Sequence, residues 1–170
     1  MHVMVHKKIF INADGGSRGN PGPAALGVVL RDEDQHEIET CGEYLGKTTN
    51  NVAEYKSLLK GLQLAAKHHA EEVFVYMDSE LVVRQMSGHY KVKAKHLAPL
   101  FAEVKKVEKQ FSKVMYRSVP RSNPFQKQAD ALVNQALDQK SHLHGVLSDL
   151  DWKTREKEMH DLRKEFEERL

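Results

Sequence analysis

Four acidic residues stand where a folded chain can bring them together. Asp14 and Asp78 each close a short apolar run, Ile9-Phe10-Ile11 with Ala13 and Val73-Phe74-Val75-Tyr76-Met77. Glu54 falls in the first turn of one helical pattern and Asp130 in the first turns of another. Carboxylates at the ends of neighbouring parallel strands emerge at the sheet edge where α/β proteins hold ligands. Crowded acids repel one another and take up protons unless a cation compensates. A donor set made only of oxygens, without a His or Cys cluster, suits Mg²⁺ or Mn²⁺. Two such ions about 3.5–4 Å apart serve phosphodiester cleavage, activating a water and stabilising the leaving oxygen. Each acid also has a plainer use. Asp14 could simply open a turn, Asn51 and Glu54 fit a capping box, and Asp78 and Asp130 suit helix N-termini. Four such coincidences are less expected than one shared site.

The elements that must position these acids follow from the hydrophobic pattern. The run through Ala13 reads as a buried strand that stops at Asp14 and enters a Gly-rich turn at Gly15-Gly16. Asn20-Pro21-Gly22-Pro23 is a second, stiff turn. Ala25–Leu30 and Glu37–Leu45 read as two more strands, joined by a polar hairpin and paired antiparallel. Thr48-Thr49-Asn50-Asn51 opens a helix to about His69, with Val52, Tyr55, Leu59, Leu62 and Ala66 on one face. The strand Val73–Met77 follows this crossover and can lie parallel to the first. A short helix from Ser79 to Met86 comes next, then a helix over about Leu97–Gln110. A strand over Lys113–Val119 and a helix over about Phe125–Leu137 complete the pattern. The expectation is an α/β fold with a mixed five-stranded sheet, three antiparallel strands then parallel ones, flanked by helices.

The totals set bounds. A chain of 170 residues, 40% hydrophobic and 29% charged, suits one domain with a charge-rich surface. The net charge of +2 leaves any attraction for nucleic acid to local clustering. The single Cys41 excludes an intrachain disulfide and a zinc cluster. No apolar run approaches the roughly 18 residues of a membrane span, and no signal-peptide core is visible. A cytoplasmic protein without membrane contact is expected.

Asp14-Gly-Gly-Ser-Arg-Gly-Asn-Pro-Gly-Pro23, Thr48-Thr-Asn-Asn-Val-Ala-Glu-Tyr55, Met77-Asp-Ser-Glu-Leu-Val82 and Ala129-Asp-Ala-Leu-Val-Asn134 occur in an order and spacing that resemble the ribonuclease H type 1 family. The resemblance covers about residues 7–138. It implies the ribonuclease H fold and endonucleolytic cleavage of the RNA strand of an RNA–DNA hybrid by two Mg²⁺ or Mn²⁺ ions, leaving 5′-phosphate and 3′-hydroxyl ends. It places the catalytic metal ligands at Asp14, Glu54, Asp78 and Asp130. It puts Asn20, Asn50 and Asn51 against the hybrid's minor groove, Thr49 near DNA-strand phosphates, and Gly15 among the substrate-binding residues. Short polar side chains and bare backbone suit a shallow groove lined with 2′-hydroxyls. Glu54 could accept from a 2′-OH while holding a metal.

The chain departs from the family pattern in three places: the loop before the last acid, the region after the Asp78 helix, and the added tail from residue 141. The loop before the last acid, Val119–Gln128, contains no His where well-known members carry one. Arg121 resembles the residue found there in a His-lacking branch. A guanidinium is no base near neutral pH, so its catalytic part would be to hold a phosphate or the attacking water; otherwise it is a surface arginine. The basic, Trp-containing protrusion of many members is missing, although nine Lys and Arg between Arg84 and Arg117 face only Glu103 and Glu108. Such a surplus can hold phosphates through counterion release.

Residues 1–140 are therefore expected to form the catalytic domain and 141–170 a helical extension. In the extension Trp152, Met159, Leu162 and Phe166 form an apolar stripe against the domain or a second copy, giving a monomer or a homodimer. Two rival readings remain, a non-catalytic member that binds nucleic acid or a partner, and another nuclease of the same superfold. Double-stranded RNA is a second candidate duplex.

Overall fold

The computed structural model describes residues 7–148 and 155–169. The elements run β1 (Lys8–Ser17), β2 (Gly22–Arg31), β3 (Glu37–Thr48), α1 (Asn50–Lys67), β4 (Glu72–Met77), α2 (Glu80–Met86), α3 (Ala98–Glu108), β5 (Lys113–Ser118), α4 (Pro124–Ser148) and α5 (Arg155–Arg169). The strands order as β3-β2-β1-β4-β5. β1, β2 and β3 pair antiparallel, whereas β4 runs parallel to both β1 and β5. This is the mixed sheet the pattern predicted.

Alternation along β1 decides what each face holds. Ile9, Ile11 and Ala13 join the main core with Tyr55, Leu58 and Leu62 of α1 and with Val73, Val75 and Met77. The opposite face carries Asn12 and Asp14, and α4 covers it. Gln126 of α4 is 1% exposed and reaches this strand twice. It donates to the carbonyl of Ala13 at 2.9 Å and accepts from Asn12 Nδ2 at 3.1 Å. Arg31, buried on the same face, donates to Asn12 Oδ1 at 2.6 Å and stacks 3.6 Å from the Phe125 ring centroid. The start of α4 is thus tied to the backbone residue next to Asp14.

Two expectations change. The Gly15-Gly16 pair forms no turn. β1 continues to Ser17, because Gly15, Gly16 and Ser17 pair with Leu26, Ala25 and Ala24 of β2. Only Arg18–Pro21 turn, closed by the Arg18 N–H donating to the Pro23 carbonyl at 2.8 Å. The last helix of the matched region does not stop near Leu137 either; α4 runs without a break past residue 140 to Ser148.

α5 turns back on α4, with Leu162 and Phe166 half-buried beside Leu143. Trp152 lies outside the described residues, and so does the side chain of Met159. No helix among the described residues is long and apolar enough to cross a membrane.

Candidate metal centre

Three of the four acids meet just past the point where the parallel pairing of β1 with β4 ends. Oxygen atoms of Asp14, Glu54 and Asp78 all lie within 4.8 Å of one another. Parallel pairing of β1 with β4 brings Asp14 and Asp78 to the same edge. Glu54 arrives from α1 because Gly15 lets that helix touch the strand. A Cβ on Gly15 would stand 2.2 Å from the Ala53 carbonyl carbon and 2.4 Å from the Glu54 nitrogen. No side chain fits there.

Asp130 joins from α4, in the helix's second turn, by a similar approach. A Cβ on Gly27 would lie 2.1 Å from the Ala129 carbonyl oxygen. Gly27 pairs with Asp14 across the strands, so Asp130 comes to the face that carries Asp14. It lines the same cleft as Asp14. Its own side chain is exposed, and Asn134 Nδ2 donates to its carbonyl at 3.2 Å and to Oδ2 at 3.3 Å.

Burial is the largest electrostatic effect at this edge. Asp14 and Glu54 are 6% and 5% exposed. Burial, then the charges of Asp78 and Asp130, pushes the Asp14 carboxyl up to about 8. Burial, then Asp14 and Asp78, raises Glu54 well above the carboxylate range, against an opposing hydrogen bond from the Gly15 backbone. Glu54 Oε2 is buried without a hydrogen-bond partner. An orphaned oxygen among crowded acids is what a hard divalent cation satisfies, so the donor set fits such an ion.

Around the acids lies a cleft of about 510 Å³ that Arg121, Asn50, Arg18 and Asn134 also line. The Val119 N–H donates to the Met77 carbonyl at 2.9 Å, holding the β5–α4 loop against the end of β4. Arg121 Nε consequently sits 3.3 Å from Asp78 Oδ2, with the Arg121 side chain 92% exposed.

The other expected residues divide. Asn20 and Asn50 meet: the Asn50 N–H donates to Asn20 Oδ1 at 3.0 Å, and Asn50 Oδ1 accepts from the Ser17 N–H at 3.3 Å. These bonds fasten the Arg18–Pro21 turn to the start of α1. Thr49 caps α1, its hydroxyl accepting from the Val52 N–H at 3.3 Å. The capping box of Asn51 with Glu54 does not form. The cap lies two residues earlier, which leaves Glu54 five residues on and turned into the acids. Asn51, half-buried in the first turn, does not line the cleft. Sequence reasoning passed over Asn134 and Arg18. Asn134 follows Asp130 by four residues and so shares its helix face. Arg18 is the one cation inside the Gly-rich motif.

A β3-β2-β1-β4-β5 sheet with acids from β1, α1, the end of β4 and α4 converging on one edge defines a ribonuclease H-like domain. Residues 12–136 match the family model described as reverse transcriptase-like. The N-terminal RNase H domain of Rv2228c from Mycobacterium tuberculosis is 45% identical, with a TM-score of 0.74 over 77% of this chain and 99% of that one. LC11-RNase H1, solved in complex with an RNA/DNA hybrid, is 42% identical with a TM-score of 0.74 over 78% and 98%. Ribonuclease HI of Halobacterium salinarum is 37% identical over 125 residues, 74% of this chain and 62% of the relative. The chain belongs to the ribonuclease H type 1 family. It spans only 36% of the length of the full mycobacterial bifunctional protein, to which it is 46% identical over 133 residues.

Proposed function

We propose that this chain is a metal-dependent endoribonuclease that hydrolyses the RNA strand of RNA–DNA hybrids. The observation that carries the reading is the set of mutually close, mostly buried carboxylates Asp14, Glu54 and Asp78 lining an open cleft. Asp14, Glu54, Asp78 and Asp130 are the residues that would hold two Mg²⁺ or Mn²⁺ ions. Such a pair, when bound, activates the attacking water and stabilises the leaving oxygen, so that 5′-phosphate and 3′-hydroxyl ends result. In this reading Glu54 accepts from a 2′-hydroxyl, which links sugar recognition to the reaction. Arg121 draws a non-bridging phosphate oxygen toward Asp78 and takes no proton. Asn20, Asn50 and Asn51 serve the minor groove beside Gly15, and Thr49 stands near the DNA-strand phosphates.

Residues 1–140 supply this chemistry and 141–170 brace it. The packing of Leu162 and Phe166 against Leu143 of the same chain supports a monomer over a dimer through α5. Sedimentation reads that choice. The single cysteine suits a reducing cytoplasm.

A labelled hybrid incubated with Mg²⁺ or Mn²⁺ tests the reading. Cuts confined to the RNA strand and abolished in Asp14→Asn support it, and a parallel lane with double-stranded RNA tests the second duplex. The histidine-free Val119–Gln128 loop favours one rival, a member that binds hybrids without cutting them. Retention of hybrid with no products would establish that rival instead.

A further inference from the structure

Next to the carboxylate cleft is a smaller pocket of about 260 Å³, lined by Arg18, Pro23, Tyr44, Leu137, Lys140 and Ser141. Arg18 and Leu137 line both hollows, so the two adjoin. The pocket floor is apolar: Tyr44 is half-buried against Ala25, Val133 and Leu137. Its rim is cationic. Lys140 Nζ stands 5.2 Å from the centroid of the Tyr44 ring, and Arg18 Nη2 lies 2.6 Å from Asp138 Oδ1. The two side chains of that ion pair are 45% and 68% exposed, so the pair contributes little and a phosphate can replace the carboxylate. Lys140 lies over the Tyr44 ring in the free protein, and its flexible side chain must swing off that face for the pocket to take one unpaired nucleotide, base on ring and phosphate on cation.

We propose that this pocket is an accessory nucleotide subsite. It takes one nucleotide of the strand leaving the carboxylate cleft past Arg18, with the base against Tyr44 and the phosphate between Arg18 and Lys140. Asp138 holds Arg18 in place until that phosphate arrives. The inference rests on the nucleic-acid-binding half of the proposed function. It commits to an unpaired nucleotide because the pocket is too small for a duplex and adjoins the cleft that would hold one.

Fluorescence anisotropy on the full chain in EDTA, which prevents cleavage, separates the two. The probes are a short blunt hybrid and the same hybrid with a single-stranded RNA overhang at either end. The parent should bind one overhung form at least about five-fold tighter than the blunt form, the low end for one stacked base. Tyr44→Leu and Lys140→Gln should each reduce that preference and leave blunt binding unchanged. Tyr44→Phe should keep it and Asp138→Asn should enlarge it. Equal affinity of the parent for all probes overturns the subsite, and so does an equal loss on blunt and overhung forms in both Tyr44→Leu and Lys140→Gln. Cleavage of the blunt hybrid is scored separately in Mg²⁺. Cleavage without overhang preference removes the subsite alone, whereas overhang preference without cleavage removes the hydrolytic reading alone.

Discussion

Gly27 of β2 and Gly42 of β3 stand opposite one another, and α4 rests directly on the pair. A Cβ at Gly27 would meet the Ala129 carbonyl oxygen at 2.1 Å, and one at Gly42 the Leu132 carbonyl oxygen at 3.1 Å. Both obstacles are backbone, so the helix itself would have to move. Gly27→Ala is expected to destabilise the protein by about 1–3 kcal/mol and to lower hybrid cleavage by shifting Asp130. Gly42→Ala should do less of both. Urea unfolding beside a cleavage assay measures the order.

Metal-free protein should lose stability as pH rises. The folded Asp14 carboxyl sits at about 8 against an ordinary 3.8, so between those values the folded state binds more protons than the unfolded chain. Stability then falls with increasing pH, and Glu54 adds in the same direction. Thermal melts in EDTA should show a lower midpoint near pH 8 than near pH 5, and Mg²⁺ or Mn²⁺ should restore it at the higher pH. Asp14→Asn should flatten the EDTA profile.

Gln126 offers a way to disturb the site without touching an acid. Gln126→Leu removes its bonds to the Ala13 carbonyl and to Asn12, leaving buried polar groups without partners. The expected cost is about 1–3 kcal/mol for each group left unsatisfied. Cleavage at saturating hybrid should fall with it, because the tie between α4 and β1 sets the distance from Asp130 to Asp14. Chemical denaturation and kcat, measured on one preparation, test both statements.

Arg121 should behave in the opposite way. Its side chain is 92% exposed, so its ion pair with Asp78 adds little to stability. Arg121→Ala is expected to leave the melting temperature unchanged and reduce kcat/KM by roughly ten-fold, as loss of one charge-assisted phosphate contact would. Arg121→Lys should recover part of it.

The meeting of Asp14 with Asp78 was legible because two apolar runs end in Asp and a helix-length crossover makes their strands parallel neighbours. Glycine misled at positions 15 and 16. Its turn preference is a local signal, and pairing with Ala25 and Leu26 overrode it. The α1 cap was ambiguous for a related reason. Thr48, Thr49, Asn50 and Asn51 are all good caps, and the register is settled at a distance by Thr48 pairing with Gly22 in the sheet. The end of α4 had no sequence marker near Leu137, since no Gly or Pro appears until Gly145. The tie through Gln126 and Arg31 was invisible because its members are scattered along the chain and polar.

α4 is one helix of 25 residues, with Asp130 near its start and Leu143 near its end. A shortened version ending at residue 140, where the family likeness gives out, would cut this helix in mid-course. Its last carbonyls would lose their amide partners, and fraying would work back toward Val133 and Leu137, the side chains that clamp it to β2. Expression of a minimal catalytic fragment should therefore keep the chain at least to Ser148.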